Sequence, residues 1–266
     1  METYFNGNRA LWNEWTHINA ASELYAMEAF KAGHTSLHEP DLSEVGPVQG
    51  KTLFHLQCHF GQDTLSWARL GAQVTGADLS DEAIHLANNL SSELNIPARF
   101  ILSNLYDLPN VLEEQFDIVY TSYGVLAWLP DLTRWAQIAA RFVRPGGFFY
   151  IAEIHPFAMV LDEESSEPRL RYPYFNHEVQ IYPVQGSYAN PSAHTETKES
   201  YEWNYPLGDV ITALAQAGLH IEYMHEFPFI GYPMYPFLEK GEDGMYRLPG
   251  KYGEIPLSFS IRASKP

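Results

Sequence analysis

The chain has 266 residues, of which 45% are hydrophobic and 14% aromatic, a composition typical of a folded globular protein with a substantial core. Its 33 acidic residues outnumber 16 basic ones, and the net charge of −17 argues against nucleic acid or an anionic membrane as a partner, because phosphates would be repelled. Cys58 is the single cysteine, so no intrachain disulfide can form. With no signal segment or membrane-spanning stretch, the sequence predicts a cytoplasmic protein that acts on a small molecule.

Residues 9–31 are predicted to form a helix, because Leu11, Trp15, Ile18 and Tyr25 recur at helical spacing. A polar connector at 38–50 follows. From residue 52 onwards short apolar strands alternate with amphipathic helices, which predicts βαβ units and a parallel sheet covered on both faces. The predicted strands are 52–56, 73–77, 98–102, 116–121 and 148–153, and the helices between them are 62–70, 80–94 and 132–143.

The alternation breaks after His155, where residues 156–205 are rich in tyrosine, proline, asparagine and histidine. Alternating stretches at 178–182 and 195–203 predict an antiparallel strand pair, so we interpret this segment as a cap. A predicted helix at 207–217 and strands at 220–225 and 257–261 complete the chain.

The segment 52–61 predicts a buried strand, a tight turn and the start of a helix. At such a turn, backbone amides and the helix N-terminus face the crevice at the carboxyl end of a parallel sheet, where nucleotide-like ligands bind. After Gly61 the next strand ends in Asp78, whose carboxylate offers two acceptor oxygens to the hydroxyls of a ribose. The alternative role of Asp78 is a helix cap or a solvated turn residue.

In order and spacing, these motifs resemble those of class I S-adenosylmethionine-dependent methyltransferases over about residues 50–155. Aligned on Gly61, the chain has Gln57 and His59 in place of the first two glycines of the family's Gly-x-Gly-x-Gly motif, and His55 in place of its acid. This first motif resembles a bacterial branch of mostly unassigned substrate. We expect the turn to bind the cofactor through backbone groups, with Gln57 and His59 either at ordinary φ < 0 or strained.

The later motifs match the family more fully. Asp78 corresponds to the ribose-binding acid, and Asn104 falls where the family places an acidic or amide residue near the adenine. The segment 116–122 resembles the fourth-strand motif, and 143–148 resembles the turn before strand five. The resemblance implies these cofactor-contacting residues: Gln57, Cys58, Gly61, Asp78, Leu79, Asn104, Leu105 and Thr121.

The resemblance implies a doubly wound, Rossmann-like α/β fold with a seven-stranded sheet whose last strand is antiparallel. It implies S-adenosylmethionine as cofactor and S-adenosylhomocysteine as product, but it does not indicate the acceptor. From the net charge we expect a small-molecule acceptor, with an oxygen or nitrogen nucleophile. We divide the single predicted domain into an N-terminal helical cap (1–49), a cofactor-binding half (50–155), an inserted cap (156–205) and the C-terminal half of the sheet (206–266).

Candidate catalytic residues are fewer. His155 ends the fifth predicted strand, at the rim where acceptors lie in this fold, and its near-neutral pKa suits a general base. A hydrogen-bonded rim histidine is the alternative. The acceptor pocket is predicted between Tyr123, Trp128 and His155 and the aromatic cap.

Two groups of residues can be interpreted either as structural or as functional. His55, Cys58 and His59 are residue types that bind zinc, but no second cluster completes four ligands, so no metal is predicted. The aromatic residues of the N-terminal region either pack in the core or shield the cofactor's sulfonium, since an aromatic face attracts a cation. They are Tyr4, Trp12, Trp15 and Tyr25.

Three other functions fit less of the pattern. A nicotinamide-dependent oxidoreductase would need the G-x-G-x-x-G motif that the chain lacks. A protein that binds the cofactor without transferring methyl is supported only by the altered glycine motif. Nucleic-acid methylation is disfavoured by the net charge and because residues 120–123 lack the Asn/Asp-Pro-Pro-aromatic tetrad. The sequence leaves the oligomeric state open.

Overall fold

A computed structural model describes residues 2–266. Its helices are α1 (Glu2–Ala20), α2 (Met27–Lys31), α3 (Glu39–Val45), α4 (Gln62–Arg69), α5 (Asp81–Glu93), α6 (Leu108–Val111), α7 (Leu132–Phe142) and α8 (Leu207–Gln216). Its strands are β1 (Thr52–Leu56), β2 (Gln73–Asp78), β3 (Arg99–Leu102), β4 (Phe116–Ser122), β5 (Val143–Ile154), β6 (Gln180–Pro183), β7 (Glu199–Glu202), β8 (His220–Phe227), β9 (Glu239–Lys240), β10 (Tyr246–Arg247) and β11 (Ser258–Ser264). Short 3₁₀ helices occupy Leu105–Asp107, Leu126–Trp128, Ala158–Val160 and Gly250–Tyr252.

One sheet of seven strands organises the molecule, in the order β3-β2-β1-β4-β5-β11-β8. The neighbouring strands from β3 to β5 pair in parallel, whereas β11 runs antiparallel to both β5 and β8. The strand order reverses where β1 lies between β2 and β4, and at such a switch point the carboxyl ends of the strands leave a crevice. The predicted doubly wound sheet with an antiparallel last strand is confirmed.

Helices cover both faces of the sheet, which explains why apolar side chains of its central strands are buried on both faces. Phe54 of β1 and Val119 of β4 face the layer that contains α7 and α8. Their sequence neighbours Leu53 and Ile118 face the opposite layer, which includes Trp67 of α4. None of the helices within residues 2–266 is long and apolar enough to cross a membrane.

The N-terminal region differs from the prediction. Residues 9–31 do not form one helix, since α1 ends at Ala20 and α2 begins only at Met27. Ala26 has φ +41, in the left-handed region, so a right-handed helix cannot run through it. The predicted connector at 38–50 contains α3, with Pro40 in its first turn and the His38 N–H donating to Asp41 Oδ2 at 3.1 Å.

The predicted antiparallel pair in the 156–205 segment is present as the hairpin β6–β7. This segment packs on α1. The Asn8 side chain donates to the Tyr201 carbonyl at 2.7 Å and accepts the Tyr201 N–H at 3.0 Å, and Trp15 Nε1 donates to the Gly186 carbonyl at 2.7 Å. The N-terminal helix and the inserted segment therefore lie against each other; the boundaries chosen at 49, 155 and 205 stay predictions.

A buried carboxyl group attaches α3 to the sheet. Asp41, 1% exposed, accepts hydrogen bonds from the hydroxyls of Tyr120 at 3.1 Å and Tyr123 at 3.4 Å. Burial, and then the nearby charge of Asp63, raise the pKa of Asp41 to about 8, although these hydrogen bonds oppose the shift. Asp41 is therefore largely protonated at neutral pH.

Replacing Asp41 with asparagine, which resembles the protonated carboxyl, should stabilise the protein at pH 8 and change little at pH 4.5. The native pKa of Asp41 lies above its unfolded value, so wild-type stability is lost as the pH rises from about 4 to about 8, by up to about 1.4 kcal/mol per pH unit. Urea unfolding of both proteins at the two pH values measures the difference. Glu39→Gln, on the exposed side of the same helix, is the control and should shift neither midpoint. Equal destabilisation by Asp41→Asn at both pH values would contradict this account.

Candidate active site

The turn after β1 has an unusual backbone. Gln57 has φ +56, His59 has φ +51 and Gly61 has φ +80. All three positions at which the family has glycine are thus left-handed in this chain, although only Gly61 is a glycine. Of the two expectations for Gln57 and His59, the strained one is correct, and such a conformation costs a non-glycine residue about 1 kcal/mol or more.

Asp78 lies at the end of β2 and holds this turn. Its Oδ2 accepts the N–H of His59 at 2.8 Å, and its Oδ1 accepts the N–H of Ser80 at 2.9 Å. Burial raises the pKa of Asp78, whereas the backbone N–H donors oppose the shift because they stabilise the charged form. Each carboxylate oxygen still has a lone pair, so Asp78 can hold the turn and accept ligand hydroxyls together.

Two buried polar atoms of the turn have no partner among residues 2–266. They are Gln57 Oε1 and His59 Nε2. The other end of the Gln57 amide donates to the Val125 carbonyl at 3.0 Å, which fixes the side chain. Burial lowers the pKa of the His59 imidazole to about 3, so the ring is neutral. A buried polar group without a partner is costly, and this pair points to a ligand that supplies one.

A cavity of about 500 Å³ lies beside the carboxyl ends of β2 and β3. Its wall includes Leu79 and Asn104, two of the residues expected to contact the cofactor, together with Ser103. Helix α1 contributes Phe5 and Arg9, neither of which the sequence analysis singled out; Phe5 precedes residue 9, where the predicted helix began.

The side chains of three other predicted residues are buried in the core. The Thr121 hydroxyl donates to the Leu56 carbonyl at 3.0 Å, and Leu105 packs among core residues. The thiol of Cys58 faces Gly76, where a Cβ would lie 2.8 Å from its sulfur. Their assignment as cofactor contacts stays a prediction.

An aromatic cluster covers the turn. We define it as Trp12, Trp15, Tyr25, Trp128, Tyr188 and Tyr232. The Trp12 ring centroid lies 5.1 Å from that of His59 and 5.2 Å from that of Trp128. Tyr188, from the inserted segment, lies 5.6 Å from Trp15, and its hydroxyl bonds to that of Tyr25. Three separate parts of the chain therefore meet above His59.

Of the three rim residues predicted around the acceptor pocket, only Trp128 belongs to this cluster. Tyr123 turns its hydroxyl towards Asp41. His155 Nδ1 accepts the N–H of Phe157 at 3.0 Å, and Nε2 lies 3.0 Å from Glu226 Oε1 in an alignment too poor for a hydrogen bond. Burial lowers the pKa of His155, and Glu226 opposes this. Because Nδ1 accepts the Phe157 N–H, the neutral ring carries its proton on Nε2, and its only basic lone pair is already engaged by Phe157. A base role for His155 stays a prediction.

Glu153, which the sequence analysis did not single out, is buried at the end of β5. Its carboxylate accepts backbone N–H groups from Gly124, Val125, Leu126 and Ile154. It thereby fixes the loop whose Val125 carbonyl holds Gln57. A charged residue at the end of an otherwise apolar strand was the available signal.

No three histidine, cysteine, aspartate or glutamate side chains of residues 2–266 converge as metal ligands. His55 Nδ1 lies 2.8 Å from the Thr64 hydroxyl and its ring meets that of Tyr120 edge to face, while His59 faces the aromatic cluster. His55, Cys58 and His59, the zinc-binding residue types of the first motif, therefore make separate contacts.

Comparisons with known proteins agree with this geometry. Residues 54–151 match a family model described as a methyltransferase domain. A ubiquinone biosynthesis O-methyltransferase of Proteus mirabilis is 30% identical over 106 residues, or 40% of this chain and 43% of that protein. The chain thus spans less than half the length of this curated relative.

Solved structures extend the likeness to most of the chain. A putative S-adenosylmethionine-dependent methyltransferase from Listeria monocytogenes has a TM-score of 0.58 at 17% identity and covers 83% of this chain and 92% of its own. The chain has a class I methyltransferase fold. A magnesium protoporphyrin IX methyltransferase from Synechocystis, solved with bound S-adenosylhomocysteine, has a TM-score of 0.52 at 13% identity over 91% of this chain and 83% of that one. The predicted resemblance is confirmed.

Gly61 is a poor position at which to test ligand binding. A Cβ there would lie 2.7 Å from the Phe100 ring and 3.1 Å from Ala87, so Gly61→Val would disturb the packing of α5 and β3 whether or not a ligand binds. Gln57 is the better position, since its left-handed backbone is strained.

Gln57→Gly should leave the free energy of unfolding nearly unchanged. Relief of the left-handed backbone, about 1 kcal/mol, offsets loss of the hydrogen bond to Val125, also about 1 kcal/mol. The matched control is Gln73→Gly in the extended strand β2, which should destabilise by about 0.5–1 kcal/mol. Denaturant unfolding measures both. An equal loss in the two variants would mean that position 57 carries no backbone strain.

Proposed function

We propose that this chain transfers the methyl group of S-adenosylmethionine to a small-molecule acceptor and releases S-adenosylhomocysteine. One observation carries the proposal: the Asp78 carboxylate and the left-handed turn meet at the switch point of the sheet, beside a cavity walled by Leu79 and Asn104. This is the position at which open α/β sheets bind nucleotide-like ligands.

The residues present fit the cofactor. Asp78 would accept the ribose hydroxyls, while Leu79 and Asn104 would border the adenine. Gln57 Oε1 and His59 Nε2, both buried and unpartnered, would face the amino acid end. Side chains of the turn would thus take over contacts that a glycine-rich turn makes with its backbone.

Bound S-adenosylmethionine supplies an activated methyl group on a positively charged sulfur. The chain contributes orientation and the exclusion of water, which together account for much of the catalysis of such a displacement. Trp12, next to His59, and Trp128, next to Trp12, are placed to exclude water from the reacting region. The net charge of −17 favours a small molecule over nucleic acid as the acceptor. The single buried cysteine suits the cytoplasm.

Asp78→Asn should weaken S-adenosylhomocysteine binding by about 2–3 kcal/mol, roughly 30- to 150-fold in Kd, because it removes the charged partner of buried hydrogen bonds. Titration calorimetry measures the affinity. Since Asp78 also holds His59, the thermal midpoint of the variant must be measured alongside. The control is Glu114→Gln, which also removes one negative charge but from an exposed side chain that pairs with Arg99 at the start of β3. This variant should bind like wild type. Unchanged affinity in a folded Asp78→Asn would remove Asp78 from the site.

Transfer itself is tested with S-adenosylmethionine labelled in the methyl group. Purified protein is incubated with a metabolite extract, and label should enter the small-molecule fraction but be absent with the Asp78→Asn variant. Binding of S-adenosylhomocysteine without any transfer of label would instead identify a cofactor-binding protein that lacks activity. Tight binding of a nicotinamide dinucleotide in its place would favour an oxidoreductase.

A further inference from the structure

The inner face of the β6–β7 hairpin carries a carboxylate without a counter-ion. Gln180 pairs with Glu202 and Tyr182 with Ser200, so these four side chains share one face. The Ser200 hydroxyl donates to Glu202 Oε1 at 2.7 Å. Within residues 2–266, no lysine, arginine or histidine forms an ion pair with Glu202. Burial raises the pKa of Glu202, Ser200 lowers it, and the nearby charge of Glu163 raises it further.

The end of the hairpin adjoins the aromatic cluster. The N–H of Trp203, the residue after Glu202, donates to the carbonyl of Ala127 at 2.8 Å, which places this end of β7 beside Trp128. The Tyr232 ring centroid lies 6.0 Å from that of Tyr188. Burial raises the pKa of the Tyr232 hydroxyl, and the neighbouring groups Tyr188, Glu153 and Glu202 raise it further. Glu153 is already satisfied by backbone N–H groups, which leaves Glu202 as the carboxylate available to a ligand.

Besides His59 Nε2, two unpartnered polar atoms near the cluster are hydrogen-bond acceptors. Asn19 Nδ2 donates to the Tyr188 hydroxyl at 3.1 Å, while Asn19 Oδ1, fully buried, has no partner among the described residues. Gln57 Oε1, in the turn that the cluster covers, is also buried and has no partner among the described residues. Tyr188 is 38% exposed although Trp12, Trp15, Tyr25 and Tyr232 surround its ring, so part of the cluster is open to a ligand.

Basic side chains near this region are engaged elsewhere. Arg171 is held by the carboxylates of Asp162, Glu163 and Glu164 and packs over the ring of Tyr172. An anionic acceptor would therefore meet the Glu202 carboxylate without a cation to offset it. Aromatic faces, acceptor atoms and an unpaired carboxylate together complement a positively charged group that carries N–H donors.

We propose that the methyl acceptor is a cationic small molecule, an amine carried as an ammonium ion, held between the aromatic cluster and Glu202. This rests on the proposed methyltransferase function and names the substrate class of its acceptor site. The ammonium group is the recognition element: Trp128 and Tyr188 contact it with their rings, and Glu202 supplies the opposite charge. Before transfer the ammonium gives one proton to the Glu202 carboxylate, and the freed nitrogen lone pair takes the methyl group as S-adenosylhomocysteine leaves. The chain's net charge of −17 raises the local concentration of such cations.

Three probes of nearly equal size and different charge test the selectivity: 2-phenylethylamine, 2-phenylethanol and phenylacetate. Calorimetry with the full chain saturated with S-adenosylhomocysteine should show the amine binding at least about tenfold more tightly than the alcohol, and no binding of the anion. Glu202→Gln should reduce the preference for amine over alcohol to about twofold or less. Glu199→Gln, an exposed change on the other face of the same hairpin, should keep the full preference.

A second pair of variants covers the case in which Glu202→Gln fails to fold. Tyr188→Phe keeps the ring and should keep the preference for the amine, whereas Tyr188→Leu should lose it. Equal affinity for the three probes, binding of none, or an undiminished preference in folded Glu202→Gln overturns the inference. If S-adenosylhomocysteine binds normally in those cases, the methyltransferase proposal still stands. If it does not bind, the proposed function fails and the inference fails with it.

Discussion

The hydrogen bond from the His59 N–H to the Asp78 carboxylate is the interaction on which the rest of the candidate site depends. The turn after β1 holds two non-glycine residues in the left-handed region, a conformation that persists only where surrounding structure enforces it. Asp78 enforces it from β2, since one carboxylate oxygen binds the turn and the other binds the start of α5. Asp78 therefore supports a turn in which two of the family's glycine positions are occupied by other residues.

Glu153 has the same role on the other side of the crevice. It binds successive N–H groups of the loop after β4, and that loop in turn holds the Gln57 amide through Val125. Both carboxylates are satisfied by backbone donors and not by lysine or arginine. In a chain with 33 acidic and 16 basic residues, neither of these two buried carboxylates therefore requires a lysine or arginine as its partner.

The N-terminal helix and the inserted segment cover the turn and complete the candidate site. Trp15 joins them through the Gly186 carbonyl, and Trp12 reaches the turn itself. Removing residues 168–197 as a block would therefore take away the partners of α1 as well as any acceptor pocket, and loss of activity would have two causes. Single substitutions at Tyr188 and Glu202 separate these causes, since each leaves the contact between Trp15 and Gly186 in place.

The sequence by itself determined the fold, and it predicted where in that fold the candidate site lies. Strand and helix patterns alternate along the chain, glycine stands at position 61 and an acid ends β2. These are local features, so the sequence alone indicates the sheet and its switch point. Helix boundaries were less certain: the break before α2 depends on a left-handed Ala26, and α3 is too short for a periodic signal.

Only the tertiary structure decided what surrounds the site. The left-handed backbone of Gln57 and His59 depends on Asp78 and not on their own preferences. His155 stood at the predicted rim but faces Glu226 of β8, and Tyr123 turns to Asp41 of α3. Trp15 donates a hydrogen bond to the carbonyl of Gly186, which lies 171 residues later in the sequence. Contacts between residues so far apart follow from how the layers pack around the sheet, and no pattern within a single segment of the sequence carries that information.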